Sequence, residues 1–323
     1  MPPSDTILTV AANAAETRRR IKGAVLQTPC LQSRAQCDAD TKLFYKCENF
    51  QTTGSFKLRG AMSRLTTLPL DMPVITASSG NHGIACSHAA RATGHALTVV
   101  LPKTVAKSKR ALIESYGTKT ILYDGDSGLA ERHARALAAE GAYTYVSPYN
   151  DPMIVAGQAS IGLELLDQLP QIDNVFVSLG GGGLISGIGS VLRAFSPKTR
   201  IIGVSATNSA ALAESLTVGK VVDTAHLETL ADGIAGSMDH DSITFPIASE
   251  IVDTSILCSE DEIAAALRHL AWTETMLVEG AAALALAGYL AKADTYAGQC
   301  SVVVLCGANF DPDVVRPVVM RDD

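Results

Sequence analysis

The sequence predicts an α/β fold arranged as two lobes, the first inserted into the second. Short β-rich runs alternate with stretches of helical spacing, the pattern of parallel strands joined by crossover helices. Small-residue junctions such as 78–83 and 180–183 link a strand to the helix that follows. At 323 residues, the chain is long enough for two lobes and a large core.

In chain order, the first unit has a strand at 74–77 and a helix from about His82 that stops at Gly94. A strand at 96–101 follows, then a helix to Tyr116 that Gly117 caps. Strands at 121–123 and 143–146 enclose a helix at 127–140. This places a small inserted lobe at 73–147 and a large lobe at 1–72 and 148–323. The second series begins with a helix at 152–169, a strand at 174–179 and a helix after the glycines. It continues with a strand at 200–205, a helix near Ala210 and a strand at 251–257. Ser259-Glu260-Asp261-Glu262 has capping-box spacing and opens a helix to about Glu274. A helix at 279–291 and a strand at 301–305 close the series. The apolar run 281–291 is too short to span a bilayer and reads as a buried helix. The sequence shows no Pro-, Gly- or Ser-rich linker, internal repeat or low-complexity segment.

Composition narrows the function classes. Apolar residues make up 47% and charged residues 18%, as in a globular chain. The net charge is −7 and the longest basic run is Arg18-Arg19-Arg20, which argues against nucleic acid as the main partner. The seven cysteines (30, 37, 47, 86, 258, 300 and 306) are scattered and show no C-x-x-C, so no zinc site or disulfide framework is signalled. The N-terminal segment lacks the order of a secretory signal. No membrane association and a reducing cytoplasm are the expectation.

The segment Gln51-Thr52-Thr53-Gly54-Ser55-Phe56-Lys57-Leu58-Arg59-Gly60-Ala61 places a lysine just inside a helix start. The partial positive charge there disfavours a cation and lowers the lysine's pKa. A lysine that attacks a carbonyl needs this, because only the neutral amine is nucleophilic. The alternative is a helix-start lysine that reaches solvent. Ser178-Leu179-Gly180-Gly181-Gly182-Gly183-Leu184 follows an apolar strand and opens a helix. Its backbone N–H groups can converge on a phosphate. It is neither a dinucleotide fingerprint nor a P-loop, since Ile185 stands where a third glycine is needed and no Gly-Lys-Ser/Thr follows. The alternative is a flexible loop with packing glycines. Ser78-Ser79-Gly80-Asn81-His82-Gly83 offers hydroxyls, an amide and helix-start N–H groups to a carboxylate, or is an ordinary helix cap. Cys306 ends the last strand, where side chains face a cleft in this fold class, although a buried apolar cysteine is the usual case.

Taken together, these segments resemble fold-type II pyridoxal-phosphate enzymes, within the serine/threonine dehydratase and serine racemase group. The resemblance runs from about Gln27 to Asn309. It also takes in Ala231-Asp232-Gly233, Glu279-Gly280 and Cys306-Gly307-Ala308-Asn309. It implies a tryptophan synthase β-like pair of open twisted sheets with flanking helices, and pyridoxal 5'-phosphate in the cleft between lobes. By resemblance, Lys57 carries the cofactor and acts as acid and base at the substrate's α-carbon, while Phe56 lies against the ring. Asn81 meets the ring's 3-oxygen, Gly180, Gly181, Gly182 and Gly183 bind the phosphate, and Cys306 faces the ring nitrogen. Leu184, Gly233, Glu279 and Asn309 complete the cofactor set. Ser78, Ser79, Gly80, Asn81 and His82 hold the substrate carboxylate.

The implied reaction is dehydration of a β-hydroxy-α-amino acid such as L-serine or L-threonine to a 2-oxo acid and ammonia, by a homodimer. An amino-acid racemase using Lys57 and Ser79 is the alternative, and a non-catalytic phospho-ligand binder is a third. No metal site is expected, because 205–211 holds no carboxylate where some relatives bind a divalent cation. Val278-Glu279-Gly280 replaces the more usual Glu-Pro. This is similar to dehydratases of less common substrates such as hydroxyaspartate, phenylserine or hydroxyectoine-derived amino acids. The short stretch after Asn309 leaves no room for the regulatory domain of biosynthetic threonine dehydratases.

Overall fold

A computed structural model describes residues 2–35 and 40–321, so Cys37 lies outside the described residues. Helix α1 (Asp5–Arg20) starts at Ser4, whose hydroxyl accepts from the Ile7 N–H. Strands β1 (Cys30–Gln32) and β2 (Lys42–Cys47) precede α2 (Lys57–Leu65). Then come β3 (Val74–Ala77), α3 (Asn81–Thr93), β4 (Leu97–Pro102), α4 (Lys107–Ser115), β5 (Lys119–Tyr123), α5 (Ser127–Ala139) and β6 (Thr144–Tyr145). The chain continues through α6 (Pro152–Gln168), β7 (Asn174–Ser178), α7 (Gly183–Phe195), β8 (Arg200–Ala206), α8 (Ala211–Val218) and α9 (Thr244–Ile251). It ends with β9 (Thr254–Cys258), α10 (Glu260–Trp272), α11 (Gly280–Leu290), β10 (Cys300–Leu305) and α12 (Pro312–Val319).

These strands make two sheets. One has six strands in the order β1-β2-β10-β7-β8-β9, parallel except for the β1–β2 pair. The other has four parallel strands in the order β5-β4-β3-β6. The expected α/β class is the observed one. β7, β8 and β10 are almost wholly buried and read as continuous apolar runs, as parallel strands covered on both faces do. Ser259 and Glu262 form the capping box that the spacing predicts.

One boundary differs from expectation. The apolar stretch read as a strand at 251–257 straddles two elements, because Ile251 closes α9 and β9 begins at Thr254. Asp253 marks the break, accepting from Arg193 and from the Ile201 N–H. Helices α1, α9 and α12 and strands β1 and β2 were not read from the sequence.

Helix α2 sits where the sheets meet. Leu58, Ala61, Met62 and Leu65 are buried with Ile84, Ala85 and Ala89 of α3. On its other side α2 crosses α6 so closely that a Cβ on Gly157 would lie 2.5 Å from the Arg59 carbonyl oxygen. A buried charge cluster ties this crossing together. The Arg59 guanidinium donates to Glu48 at 2.8 and 2.9 Å and to Glu164 at 2.6 and 2.9 Å. Lys46 donates to Glu164 at 2.5 Å and to the Thr28 carbonyl at 2.8 Å. Two cations and two carboxylates balance, which makes their burial tolerable.

Candidate active site

Residues that follow β3, β7 and β10 line a single cavity together with the start of α2. Lys57 is the first residue of α2, and Phe56 its N-cap. The stretch before α2 is stitched to the end of β10: the Phe56 N–H donates to the Cys306 carbonyl at 3.0 Å, and the Ala308 N–H to that of Gly54 at 2.8 Å. Gly54 has φ +73° and packs against the Asn309 amide, so a side chain is excluded there on two counts.

The Lys57 Nζ donates to the Pro148 carbonyl at 2.8 Å and lies 5.1 Å from the Phe56 ring centroid. Burial lowers its pKa to about 8, against upward pulls from Cys86, Cys306 and Glu279. A place at a helix N-terminus predicts a lowering of this kind. In the folded protein, loss of solvent is the larger cause.

Opposite Lys57 runs a chain of polar side chains. The Asn309 Nδ2 donates to the Thr53 carbonyl at 2.8 Å and to Asn81 Oδ1 at 2.7 Å. The Asn81 Nδ2 donates to both Glu279 oxygens at 2.9 and 3.0 Å, and the Cys306 thiol to Glu279 Oε1 at 3.7 Å. Burial pushes Glu279 up to about 7, countered by the Asn81 bond, with Asp232 adding to the rise. Burial and Glu279 hold Cys306 well above an ordinary thiol, so its sulfur is neutral. Glu279 is the N-cap of α11 but makes no cap bond, because its carboxylate is committed to this chain.

The glycine loop forms the far wall. Gly182 is the N-cap of α7 with φ +83°, a left-handed conformation. A Cβ on Gly181 would lie 2.5 Å from the Tyr149 ring, and one on Gly180 3.2 Å from Ile234 Cα. The loop therefore presents bare backbone, with the N-terminus of a 13-residue helix behind it. Gly183, Leu184 and Gly233 also line the cavity.

The segment Ser78-Ser79-Gly80 is half-buried at the mouth of α3. Ser78 Oγ accepts from the Gly80 N–H at 3.2 Å. Gly80 is the N-cap and has no side chain, so the first-turn N–H groups of α3 carry no side-chain cap. The His82 ring does not join this group. It is buried, its Nε2 donates to the Val146 carbonyl at 3.1 Å, and burial lowers its pKa to about 3.

The site thus brings together Phe56, Lys57, Asn81, the four glycines, Leu184, Gly233, Glu279 and Cys306, with Asn309 bonded behind Asn81. Sequence reasoning missed Pro148 and Tyr149, and it placed Ile234 and Ala281 only within loop-to-helix junctions, with no site role. Tyr149 and Pro148 follow β6, and a strand-end position was the available signal. Tyr149 is locked in place because its hydroxyl accepts from the Asp239 N–H at 2.8 Å. Ser178 was quoted only as part of the glycine motif. Its hydroxyl donates to the Ala281 carbonyl at 2.6 Å.

Pyridoxal phosphate fits these residues. Bare backbone at a helix N-terminus suits the phosphate, the Phe56 face suits a flat ring, and an amine near neutrality suits a carbonyl.

The family model for pyridoxal-phosphate dependent enzymes matches residues 21–307. The chain is 39% identical to an L-threonine ammonia-lyase of Geobacter sulfurreducens, over 86% of this chain and 70% of that one. It superimposes on the processed form of threonine deaminase isoform 2 of Solanum lycopersicum with a TM-score of 0.91 at 29% identity, covering 98% and 94% of the two chains. It superimposes on maize serine racemase with a TM-score of 0.87 at 29% identity, covering 95% of each. A match over most of the chain, together with a cavity built to hold the cofactor, establishes that the chain belongs to the pyridoxal-phosphate dependent enzymes.

Proposed function

We propose that the protein is an ammonia-lyase that converts a β-hydroxy-α-amino acid, L-threonine or L-serine, to a 2-oxo acid and ammonia. The observation that carries this reading is Lys57 Nζ, an amine held near neutrality between the Phe56 ring and a bare glycine loop. When bound, the cofactor supplies an electron sink for the substrate's α-carbon. Gly180 to Gly183 and the α7 N-terminus hold its phosphate, and Phe56 and Asn81 orient its ring. The uncapped first turn of α3, with Ser78 and Ser79, takes the substrate carboxylate; His82 contributes its backbone N–H, since its ring is turned to Val146. Lys57 Nζ would accept the α-proton and pass it to the β-hydroxyl, which leaves as water. A neutral Cys306 thiol, with no full charge to offer the ring nitrogen, favours expulsion of a β-leaving group.

A racemase requires a second acid facing Lys57 across the substrate. The half-buried Ser79 hydroxyl is the candidate, and the likeness to maize serine racemase keeps this reading in play. We further place 73–147 as a small lobe inserted into the large one. Free thiols at Cys30, Cys47, Cys86, Cys258, Cys300 and Cys306 support a reducing cytoplasm. Large exposed apolar side chains such as Trp272, Leu277 and Met320 support a homodimer.

The test is to assay 2-oxo acid and D-isomer from L-threonine and L-serine. Lys57→Ala should lose both activities and the borohydride-reducible link to the cofactor. Reducible attachment at another lysine contradicts the assignment, and D-isomer forming faster than 2-oxo acid reverses the order of the two readings.

A further inference from the structure

We propose that Asn309 is a positioning residue for the cofactor: it fixes which end of the Asn81 amide faces the cavity. The proposal rests on the cofactor reading of the cavity and not on the substrate or reaction assigned above. Asn81 lines the cavity, and Asn309 is bonded behind it. The two ends of an amide are similar in size and opposite in hydrogen bonding, so packing alone does not choose between them. A group of fixed polarity must do so.

That group is the Thr53 carbonyl, a backbone oxygen that can only accept. The Asn309 Nδ2 donates to it at 2.8 Å, so the amino end of Asn309 is the end turned this way. The same nitrogen donates to Asn81 Oδ1 at 2.7 Å. With its carbonyl held, Asn81 has its amino end to offer the cavity, where Nδ2 meets the two Glu279 oxygens at 2.9 and 3.0 Å. An amide turned the other way would set a carbonyl oxygen against that carboxylate, and against the anionic 3-oxygen of a bound cofactor. Glu279 draws the amino end in the same direction, so the Asn81 amide is set from both sides. The starting point is itself held. The loop that carries Thr53 is stitched to the segment that carries Asn309, because Phe56 and Ala308 donate their N–H groups to the Cys306 and Gly54 carbonyls at 3.0 and 2.8 Å. A Cβ on Gly54 would lie 2.7 Å from Asn309 Oδ1, so only a glycine there leaves the amide its place. Polarity thus runs one way, from Thr53 through Asn309 and Asn81 to Glu279.

The experiment is a double-mutant cycle of Asn309→Asp and Asn81→Ala. It is read by the Kd of pyridoxal phosphate in equilibrium dialysis at about pH 8, where an aspartate is ionised. Asn309→Asp keeps the size of the side chain and offers only acceptors. It repels the Thr53 carbonyl and draws the Asn81 amino end away from the cavity. Cofactor binding should weaken by about tenfold. In the Asn81→Ala background the same substitution should change Kd by less than about twofold, because no amide is left to turn. The absorbance of the bound cofactor gives a second reading. Loss of a donor at the 3-oxygen should raise the share of cofactor in which that oxygen is a neutral hydroxyl. Asn309→Asp should do this in the wild-type background and add nothing when Asn81 is already alanine. Equal losses of affinity in both backgrounds, or an unchanged Kd and spectrum in Asn309→Asp, overturn the proposal. Circular dichroism checks the fold. If Asn309→Asp does not fold, Asn309→Ala takes its place in the cycle, with a loss of about threefold expected beside Asn81 and none beside alanine; equal effects in the two backgrounds overturn the proposal there too. Absence of 2-oxo acid from L-threonine and L-serine defeats the lyase reading instead, and leaves this coupling standing.

Discussion

Lys57 shows how one side chain can be tuned by its surroundings. The helix start only begins the work, and removal of solvent brings the pKa to about 8. Because the folded value lies below that of a free lysine, the neutral amine becomes the major form above about pH 8. If attachment of cofactor to the apo-protein needs that amine, its rate should rise about tenfold from pH 7 to pH 9, following the neutral fraction. Stopped-flow absorbance after mixing apo-protein with pyridoxal phosphate measures this, and a flat profile contradicts the assignment. Much of this neighbourhood was legible in the sequence, because Lys57, Asn81, the glycines and Cys306 each sit at a local junction between strand and helix. The His82 ring was not legible. Its direction is set by the Val146 carbonyl, just past β6 and 64 residues further on.

At the scale of elements, α2 carries Lys57 on one side and Arg59 on another. Arg59 is buried with Glu48, Glu164 and Lys46, so its loss leaves two carboxylates sharing one ammonium. Arg59→Met should destabilise the protein by about 3–5 kcal/mol, as for other broken buried pairs. Urea unfolding of the apo-protein tests this, and a change below about 1 kcal/mol contradicts it. Glu48 has a depressed pKa, a result of Arg59 and Lys46 outweighing its burial. Its contribution is therefore present above the unfolded carboxylate pKa and lost as pH falls through the folded one. Element types were readable wherever an apolar run was bounded by a cap or a glycine, as at Gly94, Gly117 and Ser259. They were unreadable at 244–258, where one apolar stretch feeds both a helix and a strand. β2 is hard to read because Lys46, buried here in an ion pair with Glu164, interrupts its apolar pattern.

At the scale of the molecule, two sets of side-chain hydrogen bonds at the cavity tie elements of the two sheets together. Asn81 of α3 bonds to Glu279 and Asn309 beyond the six-stranded sheet. Asp239 accepts from Arg135 of α5 and from Asn150 at 3.0 Å, while its N–H donates to Tyr149. This second clasp presses Tyr149 against the glycine loop. Asp239→Ala removes two hydrogen bonds to a carboxylate, of the kind worth about 1.5 kcal/mol or more each. Cofactor affinity should fall by about tenfold, measured by equilibrium dialysis. An unchanged Kd would show that the backbone N–H at 239 keeps Tyr149 in place without the carboxylate. The second clasp is not visible in the sequence, because Arg135, Asn150 and Asp239 are ordinary polar residues until the fold brings them together.

The position of β10 has a consequence for biogenesis. It lies between β2 and β7 and pairs with both, although Cys300 and its partner Lys42 are 258 residues apart in the chain. The four-stranded sheet uses only residues 74–145 and can pair as soon as that stretch leaves the ribosome. The six-stranded sheet stays split at its middle until residues 300–305 have been made, and such distant pairings are slow to close. Cys306 and Asn309 come later still. A nascent chain can thus gain its four-stranded sheet before the cavity, which Cys306 helps to line, has all its walls, so a half-made chain encloses no complete pocket.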